Sequence, residues 1–163
     1  MADVLVVYFS RSGRTEQLAR QLAEKLGAEL DEVKPIVPYS GAGGYLKGIW
    51  HSLLHRAPLV QHGRPPSSYG LVIIGSPVWA GHLSATMRSY LTQFHSLFAP
   101  CAAYWVSGSG RGYEVLSSEI EQLAGRAPFV TASFSEGEVD RGAADAKLET
   151  FAQAIRNHYT TLS

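Results

Sequence analysis

Val4-Leu5-Val6-Val7-Tyr8-Phe9 runs directly into Ser10-Arg11-Ser12-Gly13-Arg14-Thr15, and Leu18, Leu22 and Leu26 follow at helical spacing with Ala19 and Ala23 beside them. The unbroken apolar run is the pattern of a strand buried on both faces. The leucines mark the buried face of a helix. A strand that ends in a loop of hydroxyls and glycine and then opens a helix makes an anion site. The first N–H groups of the helix have no intrahelical partner, and the helix dipole favours negative charge there. Ser10, Ser12 and Thr15 add hydroxyl donors, and Gly13 lets the backbone turn tightly and approach a ligand closely. Arg11 and Arg14 flank the loop, either as phosphate contacts or as solvated charges. Simple helix capping would need one such hydroxyl rather than several. The stretch therefore predicts a phosphate-binding strand, loop and helix.

Outward from there, strands and helices alternate along the chain. The first strand is expected at about 3–9 and the first helix at about 14–27, closed by Gly27. A short strand at about 28–33 ends before Pro35 and Pro38. Residues 39–69 are the least regular: Gly41-Ala42-Gly43-Gly44 precedes Tyr45, Leu46, Ile49, Trp50, Leu53 and Leu54 at helical spacing, and Pro58, Pro65 and Pro66 break any regular element. Leu71-Val72-Ile73-Ile74 reads as the third strand, stopped by Gly75. The loop 76–82 leads to a helix at about 84–94 with Ser84 as its N-cap. A strand at about 102–106 enters Ser107-Gly108-Ser109-Gly110-Arg111-Gly112, followed by a helix at about 113–124, a strand at about 129–133 and a last helix at about 141–158. This alternation predicts an α/β fold: one domain over residues 1–163, with a doubly wound five-stranded parallel sheet in the order 2-1-3-4-5 and helices on both faces. Such sheets bind ligands outside the carboxyl ends of their strands, at the switch point beside the first. The loops after strands one, three and four meet there, and they are the ones rich in Gly, Ser and aromatic residues.

Lys and Arg number 14, as do Asp and Glu, so the formal charge is zero. That argues against nucleic acid, which is met by basic surfaces. A single cysteine, Cys101, excludes an internal disulfide and a multi-cysteine metal site, and reads as core packing. No metal site is expected. No apolar stretch is long enough to span a bilayer, and the start, with Asp3, lacks the pattern of a signal peptide. A cytoplasmic location is the expectation.

Two segments carry a resemblance to the flavodoxin-like FMN-binding family, which includes flavodoxins and NAD(P)H:quinone-type flavin reductases. Ser10-Arg11-Ser12-Gly13-Arg14-Thr15 is similar to the family's hydroxyl-x-hydroxyl-Gly-x-Thr phosphate loop, and Gly75-Ser76-Pro77-Val78-Trp79-Ala80-Gly81 resembles the loop that holds the isoalloxazine ring. The resemblance implies FMN as cofactor. It places Ser76 and Pro77 along the ribityl chain and sets Ser107, Gly108, Ser109 and Gly110 at the pyrimidine edge. Trp79 would offer a stacking wall, with a core aromatic as its alternative, and the turn Val78-Trp79-Ala80-Gly81 would offer backbone donors near the ring. The absence of a Walker lysine disfavours a nucleoside triphosphate. His82, just past the ring loop, is a candidate for positioning a hydride donor or a quinone; as a lone loop histidine it has an uninvolved alternative.

Electron-carrying flavodoxins are usually acidic, which steers them to basic partners. This chain is neutral. The expected function is thus an FMN-dependent NAD(P)H oxidoreductase acting on quinone or flavin-type acceptors, with no catalytic side chain because the flavin carries the chemistry. The alternatives are a one-electron carrier that meets a redox protein, and a cofactor-free binding module on the same fold. A response-regulator reading fails for want of acids at the carboxyl end of the first strand. A small-phosphatase reading fails because Ser107 stands where Cys101 would need its arginine. Lys47, Trp50, His51, His55 and Arg56 suit either a substrate mouth, a homodimer contact or a helix covering the sheet.

Overall fold

Val4, Val6 and Tyr8 bury on one face of the first strand, β1 (Val4–Tyr8), and Leu5, Val7 and Phe9 on the other. A strand apolar on both sides is stable only at the middle of a sheet covered by two helical layers. The computed structural model of the chain, which describes residues 3–36, 43, 60–96, 98–111 and 114–162, has this arrangement. The elements after β1 are α1 (Arg14–Leu26), β2 (Glu29–Glu32), β3 (Lys34–Pro35), β4 (Val60–Gln61), a 3-10 turn (Pro66–Ser68), β5 (Leu71–Trp79) and β6 (His82–Leu83). They continue as α2 (Ala85–Gln93), β7 (Cys101–Ser107), α3 (Glu114–Ala124), β8 (Thr131–Ser135), α4 (Glu136–Asp140) and α5 (Asp145–Leu162).

The main strands lie in the order β2-β1-β5-β7-β8 and pair in parallel throughout. With the short strands set aside, this is the doubly wound order 2-1-3-4-5. Leu18 and Leu22 of α1 pack with Leu148, Phe151 and Ile155 of α5 on one face. Met87, Tyr90 and Leu91 of α2 pack with Leu116 and Ile120 of α3 on the other. Cys101 is buried in that second core, and burial pushes its thiol up to about 11, so it packs and stays protonated. Gly27 closes α1 in the left-handed region (φ 60°), and Ser84 caps α2 by accepting from the Met87 N–H at 3.2 Å.

The structure corrects several sequence expectations. The third strand does not stop at Gly75. Gly75 pairs with Tyr8 on one side and Tyr104 on the other, and β5 runs on to Trp79. Glycine is needed there because a Cβ would lie 2.7 Å from Cε1 of Tyr104, and closer still to its Cζ and hydroxyl. The Tyr104 hydroxyl crosses behind Gly75 to donate to the Thr15 carbonyl oxygen at 2.9 Å, tying α1 to the sheet. The last helix starts at Asp145, not near 141. Residues 136–140 form a separate turn of helix, started by a capping box between Ser135 and Glu138, and Gly142 (φ 66°) breaks the chain between the two.

Lys34–Pro35 and Val60–Gln61 pair as a two-stranded antiparallel sheet where only a proline break was expected. The incoming chain is anchored on Asp31, whose carboxylate accepts from the N–H groups of Gly63 (2.9 Å) and Arg64 (2.8 Å). The helical pattern at 45–54, with Lys47, Trp50, His51, His55 and Arg56, falls outside the described residues.

Candidate functional site

The site begins where β1 meets α1. The Ser10 hydroxyl accepts from the Gly13 N–H at 3.1 Å and folds the loop back on itself. Gly13 takes φ 91° and is the N-cap of α1, and no side chain caps that helix. The first helical bond is from the Gln17 N–H to the Gly13 carbonyl at 2.9 Å. The N–H groups of Arg14, Thr15 and Glu16 therefore face outward at the positive end of the helix. The expected hydroxyls do not cap α1, so the capping explanation for this cluster fails. A Cβ on Gly13 would meet nothing within 4 Å, and the same is true of Gly81 and Gly108. These three glycines, one from each loop, face open space.

Arg11 and Ser12 are exposed, and Thr15 is buried against the sheet with its carbonyl held by Tyr104. Arg14 takes a more specific partner than expected. Its guanidinium donates to both carboxylate oxygens of Asp140, at 2.8 and 2.9 Å, and to Ser12 Oγ at 3.2 Å. The guanidinium holds the Asp140 carboxyl below its ordinary range. Glu138 in the same turn is held low by Lys147, then by the Ser135 N–H.

The second loop is a hairpin. Val78 pairs with Leu83 and Trp79 with His82, and the turn between them places Ala80 at φ 51° and Gly81 at φ 81°, the signature of a type I′ turn. Ser76 is fully buried. Its Oγ accepts from the Ser84 N–H at 3.1 Å and lies 2.9 Å from the Pro77 carbonyl oxygen, so the hydroxyl expected along the ribityl chain is engaged inside the hairpin. Trp79 is only 6% exposed and meets Phe9 edge-on at 5.6 Å. It is a core residue in this structure, with little face left to act as an open wall. Pro77 and Val78 are half-buried, and Ala80 is exposed at the tip. His82 lies 3.7 Å from Glu119 of α3, whose other oxygen accepts from the Leu83 N–H at 3.1 Å and so clamps the hairpin to that helix.

In the third loop the Ser107 hydroxyl accepts from the Gly110 N–H at 3.0 Å. Gly108 and Ser109 are exposed, and Ser133 Oγ, 2.6 Å from the Arg111 carbonyl oxygen, holds the loop from β8. The three loops thus meet at the carboxyl ends of β1, β5 and β7. A cleft beside the first is lined by Phe9, Ser10, Arg11, Glu32, Lys34 and Gln61. Sequence reasoning missed Glu32, Lys34, Gln61, Tyr104, Ser133 and Asp140. Glu32 and Lys34 lie in or beside the expected strand at 28–33, and Asp140 follows the capping box of Ser135 and Glu138. No group of His, Cys, Asp or Glu among the described residues is arranged to hold a metal ion.

A flavodoxin family model matches residues 3–124. The chain belongs to the flavodoxin family. FMN, the cofactor that the sequence resemblance implied, is the one this family carries. Among solved structures, this flavodoxin-family chain is similar to a flavoprotein from Lactobacillus acidophilus NCFM determined in complex with FMN, at 24% identity and TM-score 0.69, covering 86% of this chain and 98% of that one. A protein described as a flavoprotein from Bacteroides uniformis ATCC 8492 matches at 19% identity and TM-score 0.72, covering 95% and 98%. A short-chain flavodoxin associated with a PDU bacterial microcompartment matches at 11% and TM-score 0.54, covering 97% and 99%. These likenesses are of fold. No helix among the described residues is long and apolar enough to cross a membrane.

Proposed function

We propose that this chain holds FMN where the three loops meet and uses it as an oxidoreductase, reducing quinone or flavin-type acceptors with NAD(P)H. The uncapped, glycine-started N-terminus of α1 is the observation that carries the binding reading. Its outward N–H groups and the Ser12 hydroxyl suit a phosphate dianion. Flavin supplies hydride and electron chemistry when bound. The chain's own part is to hold the phosphate at α1, to present the Ala80–Gly81 turn to the ring, and to border the ring with Gly108 and Ser109. A formal charge of zero favours a small-molecule donor and acceptor over docking on a basic redox protein.

Titration of the flavin-free chain tests the binding half. Ser12→Ala and Thr15→Val should each weaken FMN binding by about 1–3 kcal/mol, the cost of leaving a charged acceptor short of a donor, while riboflavin affinity stays constant. Equal affinity for FMN in both variants would place the phosphate elsewhere. The redox half is tested by mixing the FMN-loaded chain anaerobically with NADH or NADPH. Bleaching of the flavin absorbance is expected with at least one of them, and none with either would leave the one-electron carrier as the reading.

A further inference from the structure

Arg14 is the first residue of α1, where an arriving phosphate dianion would attract it. Yet its Nε and Nη2 form a fork with Asp140, at 2.8 and 2.9 Å, and its Nη1 lies 3.6 Å from Glu136. Both carboxylates come from α4, 120 residues or more along the chain. That short helix is itself braced, because Glu138 accepts from the Ser135 N–H at 2.7 Å and pairs with Lys147. Asp140 is therefore presented by fixed backbone, and a bidentate guanidinium–carboxylate pair is directional as well as charged. Arg14 Nη1 also donates to Ser12 Oγ at 3.2 Å. The Ser12 oxygen accepts there, so its own proton stays available to a ligand. A cation at the lip of the anion loop is thus cancelled by carboxylates, and its contact with the loop runs through a neutral hydroxyl.

We propose that Asp140 is a specificity-determining residue that withholds Arg14 from the ligand phosphate. The phosphate is then met by neutral N–H and O–H donors, and the site prefers FMN over riboflavin by less than its arginine would allow. The inference rests on the FMN reading above. Release of Arg14 would add a charge-assisted contact to a dianion, the stronger class of hydrogen bond.

The test is a double-mutant cycle on the flavin-free full chain, with the ratio of riboflavin to FMN dissociation constants as readout. Asp140→Asn removes the charge and one fork acceptor at nearly constant shape. It should raise the ratio on the order of tenfold through tighter FMN binding, with riboflavin unmoved. Glu136→Gln, at the longer distance, should move the ratio the same way by less and serves if the first variant folds poorly. Introduced into an Arg14→Gln background, Asp140→Asn should leave the ratio where it was. An unchanged or lower ratio in Asp140→Asn overturns the inference. So does a gain that survives without Arg14, since bare charge removal would then explain it. A wild-type chain that binds neither flavin overturns the FMN reading and this inference together, and the first titration shows it before any variant is made.

Discussion

Trp79→Ala is expected to cost about 3–5 kcal/mol of folding stability, the range for emptying a buried tryptophan site. The side chain is 6% exposed at the last position of β5. Its ring meets Phe9 edge-on, with ring planes at 89°, and it shares the core of that face with Leu83, Met87 and Trp105. Its backbone pairs with His82 across the hairpin turn. Removing it opens a cavity where the carboxyl ends of β1 and β5 meet the hairpin, so loop order and flavin affinity should fall with stability. Trp79→Phe keeps most of the apolar volume and should retain most of both. Urea unfolding without flavin is the decisive measurement. An unchanged midpoint in Trp79→Ala would mean that the indole is a removable ligand wall rather than a core residue.

Gly75→Ala should be nearly as damaging, at about 3 kcal/mol, because the new methyl would overlap the Tyr104 ring. Tyr104 is 1% exposed, and burial pushes its hydroxyl well above the ordinary tyrosine value, so it remains a donor at any physiological pH. If the ring shifts to avoid the methyl, its bond to the Thr15 carbonyl goes too, at about 1 kcal/mol. The loss therefore reaches the start of α1 and should lower FMN affinity as well as the melting temperature. Adding Tyr104→Leu to Gly75→Ala makes room for the methyl and should recover part of the lost stability. A melting temperature unchanged by Gly75→Ala would show that β5 and β7 can part at this position without cost.

The elements read most readily from sequence were those whose signals are local. The β1–α1 unit shows an unbroken apolar run, a glycine and a leucine face within one short stretch, and the Ser84 cap and Gly27 stop are equally local. What escaped depends on partners far along the chain. Gly75 looks like a strand breaker until Tyr104 is seen filling the space of its missing side chain. Ser76 and Trp79 have loop-like neighbours in sequence, and only the hairpin closed at Ala80–Gly81 reveals their contacts with Ser84 and Phe9. Nothing near Arg14 in sequence announces Asp140. The α4 turn that carries it was hidden between an expected strand and an expected helix, and its capping box Ser135-Glu136-Gly137-Glu138 was the one overlooked local sign.

One margin of the sheet bears on how the molecule behaves in company. β2 pairs with β1 alone among the described strands, and its sequence is Glu29-Leu30-Asp31-Glu32. Its carboxylates are engaged from alongside, Glu29 by Arg64, Asp31 by the Gly63 and Arg64 N–H groups and Glu32 by Lys34, so this border is polar and partly covered and denies misfolded neighbours a flat template on which to stack. Crowded or concentrated solutions should therefore select against ribbon-like aggregation from this side of the molecule.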